Sequence, residues 1–289
     1  MRNKIVGIVI LMLVATTVVS ATKINVNETI QSTSVGEDVP IWETGDSWVY
    51  NEQYHQIWYK ADGNISFTYY HNCTSTITVT DDTGDHYTVK LTSKNNEGSL
   101  TIGKLYRLKF TPLTKLTQEM QFRKTDLAYV NTFKNQEKGP VIWLLGKIGL
   151  PIPAQYSDVY ETTLTPNVFL PFPLTAGTTG VLPSYTAAGH EKMSLYWGLI
   201  KFIDGDYSYD FPPMNYTCEM TGITVPAGPY DSYNVSTDIY FGSSHNFTWT
   251  YYVPEIGFYA KQLYRSDWSD TGKLHDYYNS ELVSTTYKS

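Results

Sequence analysis

Apolar and polar residues alternate with a period of two along most of this chain, and helical periodicity is nearly absent. Successive side chains on a strand point to opposite faces, so the pattern commits the chain to half-buried β-strands. Trp48, Tyr50, Tyr54 and Trp58 share one parity, while Asn51, Gln53 and His55 take the other. Asp62-Gly63, Asp81-Asp82-Thr83-Gly84 and Asn95-Asn96-Glu97-Gly98 read as turns. They separate strands expected from Asp46, over Ile65 to Thr80, His86 to Thr92 and Ser99 to Phe110.

Farther along, Gln118 to Phe133 reads as one or two strands, and the proline-bearing stretch Pro166 to Pro183 as a long loop or boundary. Strands are expected at Lys192 to Ile203, Tyr216 to Val225, Tyr230 to Tyr240, Phe247 to Val253 and Gly257 to Arg265, with a last one within Lys273 to Thr286. The fold class is all-β: an antiparallel curved sheet or half-barrel with few helices. One large β domain is expected over residues 41–289, with possible sub-halves 41–165 and 184–289, after a loose lead-in at 22–40. Cys73 precedes Ile77-Thr78-Val79 and Tyr87-Thr88-Val89 much as Cys218 precedes Ile223-Thr224-Val225 and Tyr233-Asn234-Val235. The halves are therefore either duplicated meanders or a chance alignment of β-rich sequence.

Arg2 and Lys4 flank the start of an apolar run from Ile5 to Val19, followed by small residues at Ser20-Ala21. This is the layout of a secretory signal peptide, with cleavage expected after Ala21. The alternative is an uncleaved anchor, but the run falls short of the ~20 apolar residues of a spanning helix. No second hydrophobic span follows, so the mature chain is expected without a transmembrane segment, secreted or at the cell surface.

Losing Arg2 and Lys4 takes the formal net charge from −7 to −9. A chain this acidic has no electrostatic footprint for nucleic acid. Charged residues make up only 17% while tyrosine reaches 25 copies, which suits a sheet surface that hydrogen-bonds without relying on ion pairs. Such a chain is expected to tolerate acid, since few carboxylates have salt bridges to lose.

Cys73 and Cys218 are the two cysteines, and in a secreted chain the pair reads as a disulfide, with two buried thiols as the alternative. Closing so long a loop would be worth roughly 5 kcal/mol in the chain-entropy model. Six N-glycosylation sequons begin at Asn27, Asn64, Asn72, Asn215, Asn234 and Asn246. Asn64 follows Asp62-Gly63 and Asn246 follows Gly242-Ser243-Ser244, both expected to face outward.

Catalytic signatures are missing: there is no Gly-x-Ser-x-Gly elbow and no His-Glu-x-x-His helix, and Gly189-His190-Glu191 lacks a second histidine. Asp204, Asp206 and Asp210 alternate like the opening of a calcium loop but lack its central glycine and closing glutamate, so a solvent-facing strand is the better reading. No cofactor and no catalytic residue are assigned.

Trp42-Glu43-Thr44-Gly45-Asp46-Ser47-Trp48-Val49-Tyr50 resembles the W-x-x-G-D-x-W-x-Y opening of uncharacterised secreted archaeal proteins of Thermoplasma-related lineages. Val225-Pro226-Ala227-Gly228-Pro229-Tyr230, followed by Tyr251-Tyr252-Val253-Pro254-Glu255-Ile256-Gly257, is similar to a closing module of secreted half-barrel proteins. Leu170-Pro171-Phe172-Pro173-Leu174-Thr175-Ala176-Gly177 resembles the segment preceding that module, without the aromatic residue usual after the glycine. The resemblance implies a curved antiparallel sheet around a hydrophobic groove, as in periplasmic lipoprotein carriers. It carries over no functional residue.

The leading expectation is a non-enzymatic envelope protein holding an apolar or lipid-like small molecule. Its groove would be lined by Trp48, Tyr50, Tyr54, Trp58 and Trp143, with the apolar segment Val141 to Ile152 covering or plugging it. The alternative is a surface structural, adhesive or carbohydrate-binding module whose partners are surface polysaccharide or envelope components, and a glycosidase comes third.

Overall fold

The computed structural model describes residues 37–59, 63–103, 106–145, 149–241, 244–268 and 273–288. The leader, Asn27 and Asp62 lie outside the described residues. No helix among them is long and apolar enough to cross a membrane.

Fifteen strands are found among the described residues. The first half holds β1 (Ser47–Tyr59), β2 (Ile65–Asp81), β3 (His86–Ile102), β4 (Tyr106–Phe110), β5 (Lys115–Arg123), β6 (Tyr129–Leu145) and β7 (Leu150–Asn167). The second holds β8 (Thr178–Leu182), β9 (Tyr185–Leu195), β10 (Ile200–Phe211), β11 (Met214–Val225) and β12 (Gly228–Phe241). It ends with β13 (Ser244–Val253), β14 (Phe258–Trp268) and β15 (Leu274–Thr285).

All belong to one antiparallel sheet, ordered β10-β9-β7-β6-β4-β3-β2-β1-β15-β14-β13-β12-β11-β8. β5 follows β4 between the same neighbours, β3 and β6, so the two share one strand position. β1 pairs with β15, joining the beginning of the sheet to its end. The path stops at β10 and β8, yet the chain ties these edges together through Pro183-Ser184 between β8 and β9 and Pro212-Pro213 between β10 and β11. Prolines cannot donate to a ladder, so the ribbon of four strands kinks there. One half of the ribbon pairs with β7 and the other with β12. The sheet therefore curls round without closing into a regular barrel. Buried Leu182, Tyr185, Phe211 and Met214 pack the kink, with the Tyr185 and Phe211 rings stacked 4.5 Å apart.

Cross-strand rows define the interior. Trp48–Ile77–Leu91 is apolar, Tyr50–Ser75–Ser93 and Glu52–Cys73–Asn95 are polar, and Trp58–Phe67–Ile102 is apolar again. A polar belt thus lies between two apolar layers. It explains a departure from the sequence expectation: Asn95 to Gly98 is not a turn, because β3 runs straight through it. Asn95 is buried in the belt, and a Cβ on Gly98 would lie 2.6 Å from the Phe110 ring. Val141 to Ile152 is likewise no cover: it forms the end of β6 and the start of β7, paired from Val141–Ala154 to Leu145–Leu150. Lys192 to Ile203 is two strands rather than one, turning at residues 196–199.

Candidate functional site

The five residues expected to line a groove do not do so together. Trp48, Tyr50 and Tyr54 belong to a filled core. Each spends its polar atom inside: Trp48 Nε1 donates to the Ile256 carbonyl (2.7 Å), Tyr50 Oη to the Tyr259 carbonyl (2.7 Å) and Tyr54 Oη to Asp276 Oδ1 (3.1 Å). Trp58 and Trp143 are half-buried at the far end of the sheet, Trp143 stacked on Tyr106 at 5.5 Å. A cavity of about 20 Å³ inside the sheet is lined by residues including Glu52, Gln118, Tyr129 and Tyr278, which is room for about one water.

The belt concentrates ionisable groups. Glu52 accepts from Tyr278 Oη (2.6 Å), from Ser75 and from the Cys73 thiol (3.5 Å). Burial raises its pKa, and the Ser75, Tyr278 and Cys73 hydrogen bonds pull it back. Tyr69 Oη donates to Glu137 Oε2 (3.1 Å) and lies 3.2 Å from His71 Nδ1. Glu137 pairs in register with Asp158. Burial pushes Glu137 up to about 8, the like charge of Asp158 adding to the rise, and burial raises Asp158 as well. His71 falls to about 4 through burial, which keeps it neutral. These ionisable groups are all buried within the sheet.

The outer face carries a groove of about 580 Å³. Its floor is built by cross-strand register: Lys138 on β6 opposes Ser157 on β7, which opposes Ser194 on β9, and Val159 opposes Lys192. Gln155 and Gly139 complete the floor, and Trp197 and Gly198 form a wall. Gly139 is required there, since at φ +153° a Cβ would meet Thr114 Cα at 2.5 Å. The wall is a four-residue turn between β9 and β10. Tyr196 Oη donates to the Pro153 carbonyl at 3.1 Å, anchoring the turn on β7. Tyr196 and Trp197 both take left-handed backbone, φ 50° and 55°, at about 1–2 kcal/mol each. The strained backbone holds the Trp197 ring 84% exposed beside the groove. Lys138 Nζ donates to Gln136 (3.1 Å), and Lys192 acts on Asp204 from across the strands.

A second aromatic row crosses β12 and β13 on the outer face. Tyr240 and His245 stack at 3.9 Å, His245 meets Phe247 at 4.1 Å, and Phe247 stacks on Trp249 at 5.7 Å. These rings cover one another, whereas no ring contact is found for Trp197 among the described residues.

The remaining sequence candidates scatter. Cys73 and Cys218 are both buried and free, correcting the expected disulfide. Cys73 faces the belt, while Cys218 packs with Leu170, Leu174, Val235 and Tyr252 in a separate cluster. Five strands stand between β2 and β11 in the sheet order. Asp204, Asp206 and Asp210 lie along β10 and spend themselves on cross-strand partners. His190 holds Asp206 (2.8 Å) and Asp204 (3.2 Å), and Thr186 donates to Asp210 (2.9 Å). No group of three metal-ligating side chains converges among the described residues. Asn64 and Asn215 are exposed, and Asn72 and Asn234 are half-buried. Asn246, expected to face outward, is instead buried and accepts from Tyr264 Oη at 3.3 Å.

Trp197 was not among the sequence candidates, because Lys192 to Ile203 reads as one apolar strand. The available signal was Gly198, a glycine of positive φ directly after a tryptophan. No known protein family, curated protein or solved structure matches this chain.

Proposed function

We propose that this is an extracytoplasmic, non-enzymatic protein that binds carbohydrate in the outer groove beside Trp197. The observation that carries this reading is the exposed indole on strained backbone. An exposed large ring and two left-handed residues both cost free energy, and such strain collects where a ligand is gripped. A flat indole gives a sugar's apolar face a stacking surface. Gln155, Ser157, Ser194, Lys138 and Lys192 supply hydrogen-bonding groups around it. The signal-like leader supports delivery outside the cytoplasm.

The test is native electrophoresis of the protein through gels cast with neutral or acidic polysaccharides. Retardation in at least one gel, abolished by Trp197→Ala, supports the reading. Unretarded migration in all of them overturns it.

A second reading keeps the apolar ligand but moves it from the interior to the far end of the sheet. There Trp58, Ile102, Tyr106, Trp143, Ile200 and Phe202 are only partly buried. Native mass spectrometry after exposure to lipid extract, showing a retained lipid, would favour it.

A further inference from the structure

Five carboxyl side chains among the described residues are buried in the sheet: Glu52 on β1, Glu137 on β6, Asp158 on β7, Glu191 on β9 and Asp276 on β15, none more than 6% exposed. Among the described residues no lysine or arginine is buried, and His71 is the one buried histidine. Carboxylates withdrawn from water without a cation are strongly disfavoured, and they answer by holding protons.

Glu137 and Asp158 are the sharpest case, because they face each other directly across β6 and β7. Their surroundings offer no compensating charge. From β2 come Tyr69, His71 and Cys73, from β7 Tyr156 and Tyr160, from β9 Glu191 and from β10 Tyr207. The buried side chains of β3 and β5, Ser93, Asn95, Leu116 and Gln118 among them, include no aspartate, glutamate, lysine, arginine or histidine. Glu137 Oε1, Asp158 Oδ1, His71 Nε2 and Tyr156 Oη have no hydrogen-bond partner among the described residues. A proton on either carboxyl would supply a donor to this set.

We propose that the folded sheet retains at least one proton on the Glu137–Asp158 pair at neutral pH, so that the protein loosens as its surroundings turn from neutral to alkaline. Geometry and burial carry this. The direction of titration agrees: Glu137, Asp158, Glu52 and Asp276 are all raised by burial. A carboxyl raised on folding stabilises fully below its unfolded value near 4. That stabilisation is lost as pH climbs through the folded value, about 8 for Glu137. Exposed Glu161 and Asp204, held down by Lys134 and Lys201, act oppositely in more acidic solution. Buried His71, lowered to about 4, opposes the carboxyls between that value and the ordinary histidine value but not above it.

Urea unfolding of the purified protein from about pH 6.5 to 8.5, above the range in which His71 titrates, tests the proposal. The folding constant should fall about tenfold per pH unit for each retained proton, and Glu137→Gln with Asp158→Asn should flatten that slope. Infrared spectra of the unaltered protein at pH 7 should contain a protonated-carboxyl C=O band that disappears on unfolding. A stability that is flat or rises toward alkali, or a folded protein without that band, overturns the proposal, whether or not the double variant folds.

Discussion

Trp42 donates its indole N–H to the carbonyl of Gly257, 2.8 Å away across 215 positions of sequence. Trp48 does the same to Ile256 at 2.7 Å. The Trp42-to-Trp48 run and the Pro254-to-Gly257 turn are thus two halves of one clasp, closed by the Phe258 ring 5.2 Å from both indoles. The clasp fastens the entry to β1 onto the β13–β14 turn. Trp42→Phe would keep most of the ring but leave the Gly257 carbonyl unpaired, at about 1–3 kcal/mol. Trp42→Ala should cost about 3–5 kcal/mol. Denaturant unfolding checks both, and an unchanged midpoint in Trp42→Ala would remove the clasp from the account.

Gly189 sits where β9 crosses closest to β7. A Cβ there would lie 1.9 Å from the Glu161 carbonyl oxygen and 2.7 Å from Tyr207 Oη. Gly189→Ala should therefore force the strands apart and destabilise by more than about 2 kcal/mol, while Gly205→Ala, which meets nothing within 4 Å, should stay within about 0.5 kcal/mol. Equal midpoints for the two variants would contradict the packing described.

The thiols offer a chemical check. Cys73 and Cys218 are separate and buried, and burial raises both thiols above their ordinary range. Two thiols should react with a thiol reagent in denaturant without reductant, and neither should react quickly in the folded protein. A chain with no titratable thiol in denaturant would restore the disulfide.

His190 bridges Asp206 and Asp204, and the hydrogen bond to Asp206 is the largest of the influences raising its pKa. A proton NMR titration should place His190 above the ordinary histidine value, and Asp206→Asn should lower it. A His190 that titrates identically in both proteins would deny the pair any role in solution.

The strands were legible because Trp48 through Trp58 and their successors alternate cleanly, and because most turns carry glycine with aspartate or asparagine. The polar belt was not. Asn95 to Gly98 has the composition of a turn, yet it faces a polar interior, and no local pattern separates an inward asparagine from an outward one. The pairing of Glu137 with Asp158 was hidden by the apolar Val141 to Ile152 run, which carries the β6–β7 hairpin without a strong turn signal. Trp197 was concealed similarly, since Tyr196 and Trp197 enter left-handed backbone that their side chains disfavour. Cysteine parity pointed to a disulfide, and two separate buried thiols stand in its place, because parity says nothing about which sector of a fifteen-stranded sheet each one faces.

The outer groove is decided by calorimetric titration of the protein with fragments of whichever polysaccharide retards it, alongside Trp197→Ala and the double variant Lys138→Ala, Lys192→Ala. Saturable binding is expected, weakening at least about tenfold on loss of the indole, with the unfolding midpoint of Trp197→Ala unchanged. Equal affinity of Trp197→Ala and the unaltered protein would contradict binding beside the indole.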